Sequence, residues 1–475
     1  MAIDFRVRDF FHPVRILRLH RDFERHQWEP LSAVRAYQIG RLRAVLSVAR
    51  DHVPFYRELF ARVGFDPSAL ESDSDLAALP LLTRDVVREH QAAMRADDAH
   101  RLGAIVQRTS GTTGRPIEFL ADAESQSLEF VYYWRHWSWA GYRLGDRFAE
   151  LGSQFFLRRS DDAIACWQPG LRRLMLDSTR VSAENARPFA DAIRRHRPRF
   201  LKGMPSAVHL LAESLRDAGI DDLRFRAVFT NGEPVTASHR ASVERVFGCR
   251  VLDSYGHMER TVAISQCLEG EYHVHPDYGL LQLVESGAPT GRPGTSHEEK
   301  ASHELSDSVR AAEATPRHAV DDDGGSARLP RRARVIGTSL HNRAMPFVRY
   351  ELGDQVELYS EPRTCRCGRS FPVVKRILGR SRDVVVTPDG RHISTLFMLP
   401  EMVEGALLTQ FVQESPRELR IRVAPGPGWS ESSERQMREY AQRLVGPSMR
   451  VDVECVPGEQ LLDESGKLRT VVSHL

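Results

Sequence analysis

The sequence predicts an α/β protein: a large N-terminal domain of parallel-rich sheets with helical crossovers, then a small α+β C-terminal domain. Three observations carry that expectation. From about residue 104, short apolar or β-branched runs alternate with longer stretches of helical periodicity, the pattern of strands joined by crossover helices. At 475 residues the chain is long for one core, since a prior of roughly 150 residues per domain suggests more than one. Near residue 379 the pattern changes to half-buried strands around one amphipathic helix.

Residues 1–103 read as a helical prelude. In "LSAVRAYQIGRLRAVLSVARDHV", Leu31, Val34, Leu42, Val45 and Val48 recur at helical spacing, and Thr83 in "ALPLLTRDVVREH" is placed to cap a helix. The runs "AIVQR", "RFAELG", "RFLKG", "RAVFTNG" and "CRVLDSYG" each end in small or polar residues. Parallel sheets bind ligands beyond the carboxyl ends of their strands, so chemistry is expected at those polar tails. The helical stretches "SAVHLLAESLRDAG" and "ASHRASVERVFG" each close on a glycine that suits a helix C-terminus. Residues 294–332 hold almost no large apolar side chains and cannot offset the entropy of ordering, so they read as a disordered insertion within the large domain, 1–378. In the small domain, 379–475, Asp389-Gly390 between apolar runs signals a hairpin. "SERQMREYAQRLVG" reads there as an amphipathic helix, and "RELRIRVAP" and "RVDVECV" as half-buried strands.

Composition narrows the function classes. With 66 basic and 64 acidic residues the net charge is +2, which offers no electrostatic case for nucleic acid or an anionic membrane. The first residues, "MAIDFRVRDFFHPVRILRLHRDF", break every apolar run with Arg, His or Asp, leaving neither a signal-peptide core nor a membrane span, so a cytoplasmic protein is expected. The six cysteines are too sparse for a disulfide scaffold, and only Cys365-Arg366-Cys367 invites a metal reading.

The stretch "VQRTSGTTGRPIEF" places Ser110, Gly111, Thr112, Thr113 and Gly114 between two strand-like runs. Backbone N–H groups, hydroxyl donors and glycines that allow close approach suit phosphate oxygens, although no Gly-Lys-Ser/Thr ends the loop as in a Walker motif. Five further motifs follow in order: "TNGEPVT" with Gly232, Glu233 and Pro234; "DSYGHMER" with Tyr255, Gly256 and Glu259; "RYELGD" with Asp354; "LGRSRD" with Arg380 and Asp383; and "ESGKLR" with Lys467. Together the six resemble the adenylate-forming superfamily of acyl-CoA synthetases, adenylation domains and luciferases. The prelude, "LKGMPSAVHLLAE", "CLEGEYHVHPDYGLLQLV" and "CRCGR" are most similar to its phenylacetate-CoA ligase-like branch, CapK-type capsular-polysaccharide members included.

The resemblance implies a two-step ligase whose small domain is a mobile lid. A small carboxylic acid, aryl or otherwise, would attack ATP to give an acyl-adenylate and pyrophosphate, and coenzyme A would then displace AMP. By the same resemblance, Ser110 to Gly114 hold the β- and γ-phosphates and Gly232, Glu233, Pro234, Tyr255 and Gly256 face the nucleotide. Glu259 anchors Mg²⁺, Asp354 holds the ribose hydroxyls, and Lys467 brings positive charge to the α-phosphate. Arg380 and Asp383 form the hinge, with Arg380 also near ribose. Two other outcomes stay open: transfer to an amine in polysaccharide or cofactor biosynthesis, or a nucleotide-binding homologue without catalysis. An oligomer is compatible with either.

Cys365 and Cys367 cannot complete a tetrahedral site alone. The family-like run "CLEGEYHVH" places Cys267 and His273 just past the Tyr-Gly motif, where they would complete a Cys₃His structural Zn²⁺ set, with His275 competing for the fourth place; plain packed thiols are the alternative. Three departures from the family pattern stand out: Met258 for a hydroxyl residue, Arg115 for a lysine, and the insertion in place of a compact strand pair. The acyl pocket is expected between "LKGMPSAVH", "TNGEP" and "SYGHM". Tyr132, Tyr133, Trp134 and Trp137 either wall it or form helix core.

Overall fold

Four helices open the chain: α1 (Pro13–His26), α2 (Leu31–His52), α3 (Pro54–Val63) and α4 (Arg84–Glu89). The computed structural model describes residues 13–108, 117–152, 163–182, 184–232, 235, 237–285, 331–380, 385–388, 392–393, 396, 399–426, 428–461 and 471–474. In α3 the proline stands at the first turn, where its missing N–H is not needed, and Gly64 at φ +68° ends the helix. Thr83 caps α4 by accepting from the Val86 N–H at 3.4 Å. Helix α2 buries Val34, Leu42 and Val45 of the predicted stripe, whereas Leu31 and Val48 are half-buried. Gln38 lies in that buried stripe because its side-chain N–H donates to the carbonyls of Pro276 and Gly279, at 2.8 and 3.2 Å.

The run "AIVQR" departs from the parallel-sheet expectation. It forms β1 (Ile105–Arg108), paired antiparallel with β2 (Glu118–Ala121) in a two-stranded sheet of its own. A run with only three consecutive apolar residues carries the same signature in a hairpin as in a buried sheet, and only its partner distinguishes them.

The other predicted runs enter a nine-stranded sheet. After α5 (Ala123–Ser138) come β3 (Phe148–Leu151), β4 (Ala165–Gln168), β5 (Arg173–Leu176), α6 (Ala186–His196), β6 (Phe200–Gly203) and α7 (Pro205–Asp217). Then follow β7 (Ala227–Asn231), α8 (Ala237–Phe247), β8 (Arg250–Gly256), β9 (Ala263–Gln266) and β10 (Tyr272–Val274). A second, antiparallel sheet holds β11 (Gly279–Glu285), β12 (Arg332–Ser339), β13 (Tyr350–Glu357) and β15 (Arg376–Arg380), and between the last two β14 (Val373–Val374) returns to the first sheet. Strand order in the large sheet is β14-β10-β9-β8-β7-β6-β3-β5-β4, with β5, β3, β6, β7 and β8 mutually parallel and antiparallel strands at both flanks.

Alternate side chains of the parallel strands pack in opposite directions. Ala149, Leu201 and Val228 join the core with α6, α7 and α8, while Phe148, Phe200 and Phe229 join the one with α5 and α1. Burial on both faces explains why these strands read as continuous apolar runs, each large side chain contributing roughly 1.5–3 kcal/mol. The strand pair thought to be replaced by the insertion is present: β11 and β12 pair from Gly279↔Ser339 to Glu285↔Ala333, and the insertion lies within their connection. Residues 294–330 of it lie outside the described residues.

Toward the C-terminus, β16 (Val385–Val386) and β17 (His392–Ile393) pair antiparallel on either side of the expected Asp389-Gly390 turn, which itself lies outside the described residues. Strands β18 (Ala406–Ser415), β19 (Glu418–Pro425), β20 (Arg450–Cys455) and β21 (Val471–Ser473) form a sheet in the order β20-β19-β18-β21. The helix Glu431–Val445, capped by Ser430, packs Met437, Ala441 and Val445 into the core of this unit with Phe411, Ile421 and Val451.

Candidate functional site

The carboxyl ends of β7 and β8 converge with β13 of the second sheet. Strand β7 ends at Asn231, whose side chain donates to the Tyr133 hydroxyl at 3.2 Å, and Gly232 follows at φ +89°, a conformation that favours glycine. Strand β8 ends at Tyr255 and Gly256, and the Tyr255 hydroxyl donates to Asp354 Oδ2 at 2.7 Å. Asp354 lies on β13 with its Cα opposite that of Arg380 on β15. Thus Gly232, Tyr255 and Gly256 at the strand ends of the first sheet meet Asp354, within β13 of the second, across more than a hundred residues of sequence, and the Tyr255–Asp354 hydrogen bond links the two sheets there.

Glu259 follows in the turn after β8 and is 8% exposed. Its Oε1 accepts from Tyr350 at 3.3 Å and its Oε2 lies 3.1 Å from His257 Nδ1. The Val262 N–H donates to His257 Nε2 at 3.2 Å, so that nitrogen is the acceptor and the ring proton sits on Nδ1, facing the carboxylate. Burial, the largest single influence, pushes the Glu259 carboxyl up, but the hydrogen bond and charge of His257, a backbone hydrogen bond and the charge of Arg84 together outweigh it, and the group is held below its ordinary range. An ionised carboxylate in a buried setting suits Mg²⁺, which binds through few carboxylates and mostly phosphate oxygens.

Sequence reasoning missed what supports this turn. A Cβ on Gly279 would lie 1.8 Å from the Thr261 carbonyl oxygen, and one on Gly337 would lie 1.9 Å from Thr261 Oγ1, so two glycines of β11 and β12 make room for the loop that carries Glu259. Arg260 adopts φ +54°, unusual for a side-chain-bearing residue, and is buried in an ion pair with Glu129 at 3.2 Å. Neither feature has a local signal beyond the glycines themselves. Met258, where a hydroxyl residue was expected, packs against the core shared by the first helices and the second sheet. Nearby, burial raises the Asp253 carboxyl to about 7 despite hydrogen bonds from Thr230 and Tyr272, at 2.8 and 3.1 Å.

Of the aromatic cluster, Tyr132, Tyr133 and Trp137 are buried core of α5, and Trp134 packs against that core. Tyr133 also touches Asn231 beside Gly232, so core and site meet there. Ser110, Gly111, Thr112, Thr113, Gly114, Arg115, Glu233, Pro234, Asp383 and Lys467 lie outside the described residues.

The structure also gathers Cys267, His273, Cys365 and Cys367, with one ligand atom from each lying within 4.8 Å of the others. A tight turn from Cys267 to Glu271, with Gly270 at φ +92°, sets Cys267 next to β10, and the β10–β14 pairing brings the 365–367 loop alongside. Cys267 Sγ lies 3.6 Å from Cys365 Sγ, and Cys367 Sγ lies 3.3 Å from His273 Nε2. His273 Nδ1 lies 3.2 Å from the Phe371 carbonyl, which can only accept, so the proton belongs on Nδ1 and Nε2 is left for a metal. In the metal-free cluster burial would lower the His273 pKa and raise that of Cys367, but the contacts between the imidazole and the thiols reverse both, to about 11 and about 6, so a metal at Nε2 would displace the proton that the imidazolium otherwise shares with the sulfurs. Three sulfurs and one imidazole nitrogen at these separations are a donor set that suits tetrahedral Zn²⁺. His275 is elsewhere: stacked on Trp139 at 5.4 Å and hydrogen-bonded with Arg135.

A family model described as AMP-binding enzyme matches residues 36–286. Among curated proteins, the phenylacetate-coenzyme A ligase of Thermus thermophilus is 25% identical over 80% of this chain and 76% of its own length. The corresponding ligase of Pseudomonas putida is 28% identical over 78% and 77%. Protein CapK of Staphylococcus aureus is 21% identical over 82% and 80%. Among solved structures, a 2-hydroxyisobutyryl-CoA ligase in complex with 2-HIB-AMP and CoA superposes with a TM-score of 0.56, at 20% identity, over 94% of this chain and 91% of that one. That likeness establishes the shared fold.

Proposed function

We propose an activity from one premise: this chain belongs to the family of AMP-binding enzymes. It is an AMP-forming ligase that activates a carboxylic acid with ATP and passes the acyl group to the thiol of coenzyme A. In the first step a carboxylate oxygen attacks the α-phosphorus, and the bond to the bridging oxygen breaks to release pyrophosphate. In the second the thiolate sulfur attacks the acyl carbonyl and AMP leaves. The observation that carries this reading is the meeting of Tyr255 and Asp354 beside the buried, ionised Glu259 at the carboxyl ends of the parallel strands.

Within it, Asp354 accepts ribose hydroxyls, with Tyr255 fixing its carboxylate, and Gly232 and Gly256 let the nucleotide approach the backbone. The 110–114 loop and Lys467 meet the phosphates, and Arg380 and Asp383 mark the pivot between a large domain, 1–378, and a small one, 379–475. Mg²⁺ held by Glu259 would offset charge on the phosphate oxygens. Zn²⁺ held by Cys267, His273, Cys365 and Cys367 would serve structure, since the cluster ties β9, β10 and the 365–367 loop together.

The test is pyrophosphate release from Mg·ATP across a panel of aryl and short-chain acids, with wild type beside Lys467→Ala and CoA present or absent. Acid-dependent release that falls about 100-fold or more in the variant is expected. The similarity to CapK favours one second reading, an amine as acceptor. AMP release with an amine but none with CoA would select it. ATP binding with no release from any acid would sink both and leave a nucleotide-binding protein.

A further inference from the structure

The amino ends of the same strands carry different chemistry. Arg147, Arg199 and Arg226 immediately precede β3, β6 and β7, whose register sets Phe148, Phe200 and Ala227 side by side. Backbone bonds extend the ladder through the arginines themselves: Arg199 N–H to the Arg147 carbonyl at 2.9 Å and Arg226 N–H to the Arg199 carbonyl at 2.7 Å. A cavity of about 640 Å³ opens beside this row, lined by four arginines, Arg143, Arg199, Arg226 and Arg369, against one carboxylate, Glu24.

Two of the four guanidinium groups, those of Arg226 and Arg369, are held by neutral partners. Arg226 Nε donates to the Ala140 carbonyl at 2.7 Å, and Arg369 Nε to Gln27 Oε1 at 2.9 Å. Arg369 also lies over the Trp28 and Trp139 rings, at 5.0 and 4.3 Å from their centroids. Gly141, at φ +82°, allows the Arg226 guanidinium to lie against the backbone, since a Cβ there would meet it at 2.5 Å. Arg199 pairs with Asp146 at 2.9 Å, and Glu24 accepts from Gln27 and Ser138 at 3.0 and 3.3 Å. Like charges held together and incompletely neutralised by carboxylates constitute an anion-attracting field, and fixed guanidinium forks match carboxylate or phosphate oxygens.

We propose that this cavity binds a small polyanion bearing phosphate or several carboxylate groups, at the strand ends opposite the nucleotide motifs. The proposal stands apart from the ligase reading, because it makes no use of the nucleotide residues. Tripolyphosphate and citrate are the probes, titrated calorimetrically into the full-length protein without Mg²⁺, with and without saturating α,β-methylene-ATP to fill the nucleotide cleft. The expected result is one saturable site that survives the nucleotide analogue, weakens about tenfold or more in Arg143→Glu/Arg226→Glu and stays within about threefold in Arg226→Lys. Which of the two probes binds tells phosphate from carboxylate chemistry. Binding abolished by the analogue but unchanged in the double variant would assign it to the nucleotide cleft and overturn the proposal. So would the absence of binding by both probes to protein whose thermal melt shows that it is folded.

Discussion

The two ends of the parallel strands make an instructive contrast. At their carboxyl ends stand glycines beside polar side chains: Gly203, Gly232 after Asn231, and Gly256 after Tyr255. At their amino ends stand the long cations Arg147, Arg199 and Arg226. The β-strand cores between are mostly apolar, broken by the buried Lys202–Glu150 pair and Asp253. The two ends therefore differ in kind, with glycines that leave the backbone open at one end and long cationic side chains at the other.

The sharpest way to break this contrast is to remove charge from each end in turn. Glu259→Gln is expected to lower acid-dependent pyrophosphate release by about 100- to 1000-fold, whereas Arg143→Glu/Arg226→Glu leaves it within about twofold. Comparable losses from both would mean that the two ends are one functional unit. Next in size, Gly279→Ala should destabilise the protein by about 2–3 kcal/mol in urea titration, because its Cβ would meet the Thr261 carbonyl at 1.8 Å and displace the Glu259 turn. An unchanged midpoint would show that the turn yields freely.

Stripping metal with a chelator should lower the melting temperature by about 4 °C and release about one zinc per chain, and Cys365→Ser/Cys367→Ser should melt at the lower value with or without chelator. A metal-free wild type with the same melt would leave the cluster as packed thiols. The smallest effect concerns Asp253. Burial pushes its carboxyl up to about 7 from an ordinary 3.8, so between those values the folded state holds a proton that the unfolded state has lost. Stability from this group is present at acidic pH, declines as pH rises toward 7 and is flat above. Asp253→Asn, which imitates the protonated carboxyl, should therefore gain on wild type by on the order of 1 kcal/mol between pH 5 and pH 8. A difference independent of pH would refute the raised carboxyl.

The sequence made the parallel core legible because strands buried on both faces need mostly apolar runs, as in "RAVFTNG"; in "RFLKG" the run is interrupted by Lys202, whose buried charge pairs with Glu150 of the neighbouring strand. "AIVQR" satisfied the same criterion and went into a hairpin, because pairing partners are not encoded in a window of five residues. At the site, Tyr255, Glu259 and Asp354 could be picked out by motif, and the structure adds how they are supported. Tyr350 on Glu259, and Gly279 and Gly337 beneath Thr261, are contacts between separate elements, which no local pattern carries, whereas the His257 proton facing Glu259 lies within the motif itself. The cysteine cluster was approachable from sequence because thiols are rare in this chain and chemically distinctive. The arginine row was not, because arginine is common and only strand register aligns the three.

Strand β14 is two residues long, and it is what covers β10 at the border of the large sheet. A border strand left bare offers its backbone to any passing chain, and very short covering strands are one way proteins avoid that hazard. Here the cover is fastened at one side by the cysteine loop, through Cys367 against His273 of β10 itself. Unfastening it would leave the activity-bearing strands untouched while exposing a template for intermolecular growth. Were the cluster to hold Zn²⁺ as proposed, solubility without metal, more than turnover, is where that loss would first be felt.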